Sequence, residues 1–165
     1  MKIVLIDYGA GNVQSVKYAL NRLGIEPSLT KDHNEIKSAD KVIFPGVGSA
    51  KAAMEQLKAS GLDELIPTLI QPVLGICVGM QLMCKYSEEG NVKCLGIIDS
   101  EVKKFKPGLK IPHMGWNNIS DLKSPLFQGL PTEHQVYFVH SYYVPLNEYT
   151  IATTDYSNDF SAAIK

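Results

Sequence analysis

The chain has 165 residues, of which 45% are hydrophobic and 20% charged, and its formal net charge is −1. These values are typical of one globular domain over residues 1–165, and the scattered Lys and Arg argue against a nucleic-acid-binding face. The first apolar run is too short for a signal peptide, and no stretch approaches the ~20 apolar residues of a membrane span. Three cysteines without a CxxC pair indicate neither a disulfide framework nor a zinc site, so we expect a cytoplasmic protein with reduced thiols.

In chain order, the first half alternates between predicted strands and helices. Apolar runs predict strands within the segments 2–7, 26–31, 41–46 and 72–77. Apolar residues at helical spacing predict three helices: one from about Val13 to the stop at Gly24, one from Ala50 to near Gly61, and one from Val78 to about Tyr86. Strands that are apolar on both faces and alternate with helices indicate parallel βαβ units with helices on both sides.

The second half has a different pattern. Strand-like segments follow one another at 91–105, 135–144, 149–156 and 160–165, joined by turn sequences such as Lys106-Pro107-Gly108. We therefore predict a doubly wound α/β fold with a mostly parallel sheet and a β-rich second half.

Cys77 lies at the predicted corner between the fourth strand and the third helix. The spacing in "GICVG" (75–79) is that of a nucleophile elbow, whose glycines permit a strained turn that presents the side chain at the carboxyl end of the sheet. A helix N-terminus stabilises a thiolate by ~0.3–1 kcal/mol, up to ~2, and one pKa unit corresponds to ~1.4 kcal/mol. We therefore expect the pKa of Cys77 to fall by roughly one unit from ~8.5. The alternative is a small buried thiol in a glycine-rich turn. For Cys84, on the same predicted helix, and Cys94, in a predicted strand, we expect buried core thiols.

The segment "GICVGMQ" (75–81) closely resembles the nucleophile segment of the class I glutamine amidotransferases. Four further motifs resemble the glutaminase subunits of imidazole glycerol phosphate synthase, a histidine-pathway enzyme: "DYGAGN" at 7–12, "FPGVG" at 44–48, "PHMGWN" at 112–117 and "YFVHSYYV" at 137–144. The motifs occur in family order across nearly the whole chain. The resemblance implies a flavodoxin-like fold, no cofactor or metal, and hydrolysis of glutamine to glutamate through a thioester on Cys77.

The resemblance also implies roles for residues near this nucleophile. The oxyanion would be stabilised by the backbone N–H of Val78 and by that of Val47, once the Gly46–Val47 peptide has flipped inward. Glycines at both ends of this loop make such a flip sterically cheap. Contacts to glutamine are implied for Gly46, Gly48, Gln81, Ser141 and Tyr142. Without the resemblance, a strand-ending loop at 45–48 and an ordinary polar helix residue at Gln81 are the alternatives.

A partner is implied as well, because the family pairs the glutaminase with a (β/α)₈-barrel cyclase in a heterodimer. The resemblance assigns the interface to Asn12, Met114, Trp116 and Asn117. For Trp116 the alternative is a core residue, since large aromatic side chains are usually well buried. The loop Gly9-Ala10-Gly11 also suggests a dinucleotide fingerprint, but the third glycine is replaced by Gln14, so we reject that function.

The general base is the one part of the family's catalytic machinery for which these residues contain no matching motif. From the residues alone His140 is the tempting base, whereas the resemblance favours a hydrogen-bonded structural histidine there. We expect His33, His113 and His134 to be solvated. Family members carry the base in a His-Pro-Glu segment, and no such segment occurs in residues 1–165. We therefore expect a C-terminally truncated subunit, or an incomplete sequence of one, with impaired glutamine hydrolysis.

Two other functions fit the same residues. A cysteine peptidase or glyoxalase-type hydrolase of the flavodoxin-like group also carries its cysteine on a strand-to-helix elbow. A catalytically inactive scaffold would bind the cyclase without releasing glutamate.

Overall fold

The computed structural model describes residues 1–9, 12–131 and 134–165. The chain divides into two compact units, Met1–Asp99 and Ser100–Lys165. Among the helices of the described residues, none has the length and apolar character needed to cross a membrane.

A four-stranded parallel sheet forms the centre of the first unit, in the order β2-β1-β3-β4. Its strands are β1 (Ile3–Ile6), β2 (Ser28–Thr30), β3 (Lys41–Phe44) and β4 (Val73–Gly75). Each lies inside its predicted segment. Because β1 stands between β2 and β3, the chain winds in both directions from the middle of the sheet, which is the doubly wound pattern. The predicted fold class is confirmed.

The helices of this unit are α1 (Val13–Arg22), α2 (His33–Lys37), α3 (Ala50–Ser60), α4 (Leu62–Leu65) and α5 (Val78–Met83), with a 3₁₀ turn at Ile66–Thr68. The predicted stops hold, because Gly24 and Gly61 adopt left-handed φ values of 74° and 69° just past α1 and α3. The sequence prediction missed α2 and α4, which are too short to show a helical period.

Packing on both faces of the sheet follows from the alternation of side chains along β1. Ile3 and Leu5 belong to a small cluster that contacts Val16 and Leu20 of α1. Val4 and Ile6 point to the opposite face and belong to the main core. On that face α3 contributes four apolar residues, all buried: Ala50, Ala53, Met54 and Leu57.

Helix α5 is shorter than predicted. It ends at Met83, and the chain continues as strand β5 (Cys84–Ser87), which forms a hairpin with β6 (Val92–Lys93). The backbone N–H groups of Leu95 and Ile97 donate to the carbonyls of Leu82 and Met83, both at 2.9 Å. The extension of the helix to Tyr86 is therefore wrong, because a later segment takes the carbonyls that a longer helix would use.

The second unit is antiparallel. Strands β7 (Ile98–Lys104, beginning just before the unit boundary), β10 (Tyr142–Pro145), β12 (Asn158–Ile164) and β11 (Thr150–Tyr156) pair in that order. A separate two-stranded ribbon pairs β8 (His113–Ile119) with β9 (His134–His140). The β-rich second half is confirmed, although β8 was not among the predicted strands.

Candidate active site

Cys77 occupies a strained corner between β4 and α5. Its backbone has φ 54° and ψ −117°, a conformation that L-residues other than glycine adopt at a cost on the order of 1–3 kcal/mol. The residue is exposed, and the chain enters α5 at the next position. The buried-thiol alternative is therefore wrong for Cys77, and the strain is typical of a nucleophile elbow.

The glycines on either side of the elbow are required by close packing. A Cβ atom at Gly75 would lie 2.7 Å from the Cα of Met80, and one at Gly79 would overlap the carbonyl oxygen of Phe44. That oxygen is fixed, because it accepts a 3.0 Å hydrogen bond from the backbone N–H of Ile76. The end of β3 thus lies directly against the first turn of α5.

The neighbouring "PGVG" loop touches the same turn. Gly46 is buried, and a Cβ atom there would overlap the backbone nitrogen of Gly79 and lie 2.9 Å from the carbonyl carbon of Val78. Val47 and Gly48 are exposed, and Gly48 has a left-handed φ of 85°. Gly48 adopts a φ that favours glycine, whereas Gly46 is glycine because of the close approach. The inward flip of the Gly46–Val47 peptide stays a prediction.

The electrostatics of Cys77 differ from the prediction. Burial by the surrounding protein is the main cause that raises the pKa of its thiol, even though one side of the residue is exposed. A hydrogen bond from the backbone N–H of Val78 lowers the pKa, and the charge of Glu89 raises it further. The expected fall in pKa is wrong because α5 supplies one amide, and desolvation outweighs it.

Two residues near the thiol were missed by the sequence prediction. The Glu89 carboxylate accepts a 2.8 Å hydrogen bond from the backbone N–H of Ala50 and acts electrostatically on Cys77. The buried Tyr8 donates its hydroxyl to the carbonyl of Pro45 at 3.0 Å. Tyr8 follows the first strand, at the carboxyl edge where ligands bind in such sheets, and that position was the available signal.

The other two cysteines are buried core thiols, as predicted. Burial raises the pKa of Cys84 to about 12 and that of Cys94 to about 11. At pH 8 a thiol with a pKa of about 11 is only about 0.1% thiolate, which is the reactive form.

We expect alkylation by iodoacetamide at pH 8 to modify Cys77 about 100-fold faster than either buried thiol, as measured by peptide mapping against time. Glu89→Gln should lower the pKa of Cys77 and move its pH–rate profile to lower pH, because the charge is removed while a side-chain oxygen remains for the Ala50 N–H. Glu55→Gln, which removes an exposed carboxylate of α3, should leave the profile in place. Faster labelling of Cys84 would contradict the elbow assignment.

Gln81 lies within α5, and Asn12 caps α1. Gln81 is buried one turn after Cys77, and its backbone N–H donates to the Cys77 carbonyl at 3.1 Å. Asn12 caps α1 by accepting a 3.3 Å hydrogen bond from the Ser15 N–H. Contact with glutamine and with the cyclase stay predictions for these two residues. Of the loop Gly9-Ala10-Gly11, Ala10 and Gly11 lie outside the described residues.

The remaining predicted site residues belong to the second unit. Ser141 joins β9 to β10, and its carbonyl accepts a 3.1 Å hydrogen bond from the Phe105 N–H. Tyr142 opens β10, opposite Lys104. Their contact with glutamine stays a prediction.

The ribbon of β8 and β9 has one outward face, which we call the ribbon face. Its members are all more than half exposed: Met114, Trp116, Tyr137 and Val139. They form two directly opposed pairs, and the Trp116 and Tyr137 rings meet edge to face at 5.6 Å. The core alternative for Trp116 is wrong, because its side chain is 68% exposed. Asn117 lies on the other face of β8, where its amide donates to the carbonyl of Asp155 at 2.9 Å.

Two of the histidines form a hydrogen-bonded pair. His140 Nδ1 donates to the carbonyl of Tyr142 at 2.8 Å, so its Nε2 accepts from Nδ1 of His113 at 2.9 Å. His113 Nε2 in turn accepts from the amide of Asn117 at 3.4 Å. Burial lowers the pKa of both rings.

The expected structural histidine at 140 is therefore present in the structure. Solvation of His113 and His33 is wrong, because His113 is buried and the half-buried His33 donates Nε2–H to the Ser60 carbonyl at 3.0 Å.

Comparison with known proteins identifies the family. The family model described as "Glutamine amidotransferase class-I" matches residues 4–165. The chain belongs to the class I glutamine amidotransferases. This match favours an amidotransferase over the peptidase and glyoxalase-type alternatives.

The relatives of this amidotransferase narrow the family further. It is 60% identical over 167 residues to "Imidazole glycerol phosphate synthase subunit HisH" of Bacteroides fragilis strain YCH46, covering 99% of this chain and 85% of the relative. It is 50% identical over 166 residues to the protein of the same name from Haemophilus influenzae strain Rd, covering 99% and 83%. The resemblance inferred from the motifs is confirmed.

Two solved structures share the fold of this chain. A crystal structure of a glutamine amidotransferase matches with a TM-score of 0.71 and 18% identity over 90% of this chain and 78% of that one. The structure of PurLQS from Thermotoga maritima matches with a TM-score of 0.63 and 17% identity, over 98% and 77%.

Proposed function

We propose that this amidotransferase is the glutaminase subunit of an imidazole glycerol phosphate synthase, acting in histidine biosynthesis. It hydrolyses glutamine to glutamate at Cys77 and passes ammonia to a (β/α)₈-barrel cyclase. The observation that carries the proposal is the exposed Cys77 at a strained φ of 54°, with the Val78 N–H bonded to its sulfur.

The chemistry begins with attack of the Cys77 thiolate on the side-chain carbonyl carbon of glutamine. A C–S bond forms and the carbonyl oxygen becomes an oxyanion. The oxyanion then collapses to the carbonyl as the amide NH₂ group takes up a proton and leaves as ammonia with the electrons of the C–N bond. Water hydrolyses the glutamyl thioester, which releases glutamate and the Cys77 thiol. Because the pKa of Cys77 is raised, a general base has to remove the thiol proton at neutral pH.

The oxyanion is held by two backbone N–H groups, of Val78 and Val47. The first amide already meets the Cys77 sulfur, and the second lies in the loop that packs on the same turn of α5. Removal of one such donor typically costs 10²–10³-fold in turnover, so this contribution is large. We assign contacts with glutamine to Gly46, Gly48, Gln81, Ser141 and Tyr142.

The cyclase binds at the ribbon face. We also assign contacts with the cyclase to Asn12 and to Asn117, although Asn117 lies on the other face of β8. An exposed apolar ribbon centred on Trp116 and Tyr137 supports the assignment to the ribbon face, because aromatic residues and Met are enriched at the cores of interfaces. A closed complex also has a chemical reason, since ammonia released into water becomes protonated and loses its nucleophilicity. We therefore propose a heterodimer with an enclosed path for ammonia, located in the cytoplasm, where the free thiols stay reduced.

Trp116→Ala should weaken association with the Bacteroides fragilis cyclase subunit by about 2 kcal/mol or more, because exposed tryptophans at interface centres are frequent hot spots. Isothermal calorimetry measures the effect, and the melting temperature should change little since the side chain is exposed. Leu146→Ala, which removes an exposed apolar side chain outside the ribbon, is the matched control. Unchanged affinity for Trp116→Ala would contradict the interface assignment. If a longer chain that carries a general base binds the cyclase and releases no glutamate, the alternative of a catalytically inactive scaffold is favoured.

A further inference from the structure

Tyr8 connects three parts of the site. Its ring is buried and packs edge-on against Phe44, with the centroids 5.5 Å apart. Its hydroxyl donates to the carbonyl of Pro45 at 3.0 Å. A Cβ atom at Gly46 would lie 3.0 Å from the same hydroxyl oxygen and would overlap the backbone nitrogen of Gly79. The Pro45–Gly46 segment is therefore packed between the Tyr8 hydroxyl and the first turn of α5.

The hydrogen bond fixes one end of the loop that is expected to flip. Rotation of the Gly46–Val47 peptide changes ψ of Gly46 and φ of Val47. The neighbouring peptides stay in place during this rotation only if other contacts anchor them. The Pro45 carbonyl belongs to the preceding peptide, and its bond to a buried donor supplies that anchor.

The hydroxyl remains a donor over the whole working range of pH. Burial, and then the charge of the nearby Cys77, raise the pKa of Tyr8 to about 12. A neutral phenol keeps its O–H for the Pro45 carbonyl and adds no negative charge near Cys77.

We propose that Tyr8 is a positioning residue for the oxyanion hole: its hydroxyl holds the Pro45–Gly46 peptide against α5, so that the N–H groups of Val47 and Val78 face the same oxygen. This assignment rests on the proposed glutaminase function.

The test compares two reagents that modify Cys77. The chloromethyl ketone analogue of glutamine loses chloride as its C–S bond forms, and its ketone oxygen lies where oxyanion donors polarise it. Methyl methanethiosulfonate contains no carbonyl and reports only thiol access and ionisation. Tyr8→Phe should lower the ratio of the ketone rate to the thiosulfonate rate about tenfold, less than the outright loss of an oxyanion donor.

Two further variants separate positioning from folding. Tyr18→Phe, at an exposed tyrosine of α1, should leave the ratio within about twofold. Replacement of Tyr8 by para-aminophenylalanine keeps the ring and restores an N–H donor, so it should recover the ratio.

Each other outcome contradicts the assignment. An unchanged ratio in Tyr8→Phe would overturn the role of Tyr8 and leave the glutaminase function standing, provided that the wild-type chain reacts faster with the ketone analogue than with chloroacetone. Equal wild-type rates with those two ketones would overturn the glutamine site itself. A parallel fall of both rates with a lower melting temperature, not rescued by para-aminophenylalanine, would show a purely structural hydroxyl.

Discussion

A polypeptide of residues 1–165, saturated with a barrel cyclase, should release glutamate from glutamine on the order of 10⁶-fold more slowly than the same polypeptide extended with the C-terminal segment of the Bacteroides fragilis relative. The reason is the absence of a placed proton carrier. The raised pKa leaves the Cys77 thiol dependent on a base, and the amide nitrogen of glutamine needs a proton to leave as ammonia. The expectation concerns a polypeptide of these residues alone and not any longer protein that contains them.

The paired histidines His140 and His113 do not replace that base. Both ring nitrogens of His140 are engaged, one with the Tyr142 carbonyl and one with His113. His113 bonds to His140 and to Asn117, and burial lowers its pKa.

Glutamate release by the two polypeptides, each with the cyclase bound, is the measurement. The extended polypeptide carrying Cys77→Ala is the control for contaminating glutaminase. Equal and substantial rates would mean that the base lies within residues 1–165, and His140 would be the first histidine to replace.

Gly79→Ala should lower the free energy of unfolding by about 3 kcal/mol or more, or prevent folding. Inside an ordinary helix the same change stabilises by ~1 kcal/mol, so the predicted sign is reversed. The new Cβ would overlap the Phe44 carbonyl oxygen, which is part of the backbone and is held by the Ile76 N–H. Neither group can move without separating β3 from α5.

Urea unfolding followed by circular dichroism measures this effect. Gly24→Ala is the matched control, since a Cβ there meets no atom within 4 Å and only the left-handed φ of 74° is strained. It should cost about 1–2 kcal/mol. A smaller loss for Gly79→Ala than for Gly24→Ala would mean that the elbow relaxes around the added methyl group.

Much of the first unit was predictable because its signals are local. The apolar runs of the four strands, the helical period of α3 and the stops at Gly24 and Gly61 each lie within a few residues of the feature they determine. The elbow was predictable for the same reason, since the glycines and the cysteine between them form one short motif. The family resemblance was carried by such motifs as well.

Other features were decided only when distant segments met. Helix α5 stops at Met83 because the N–H groups of Leu95 and Ile97 take its last carbonyls, and nothing between 78 and 86 marks that end. Trp116 shares an exposed face with Tyr137 because β8 pairs with β9, and β9 begins fifteen positions after the end of β8.

The direction of the Cys77 pKa shift was also decided by distant segments of the chain. The sequence by itself determined that a cysteine stands at the start of a helix, and one backbone N–H does favour its thiolate. Tertiary packing determined how much water that thiol loses and brought Glu89 near it. Desolvation and charge depend on atoms far away in the chain, so they outweighed the local signal from which the opposite shift was predicted.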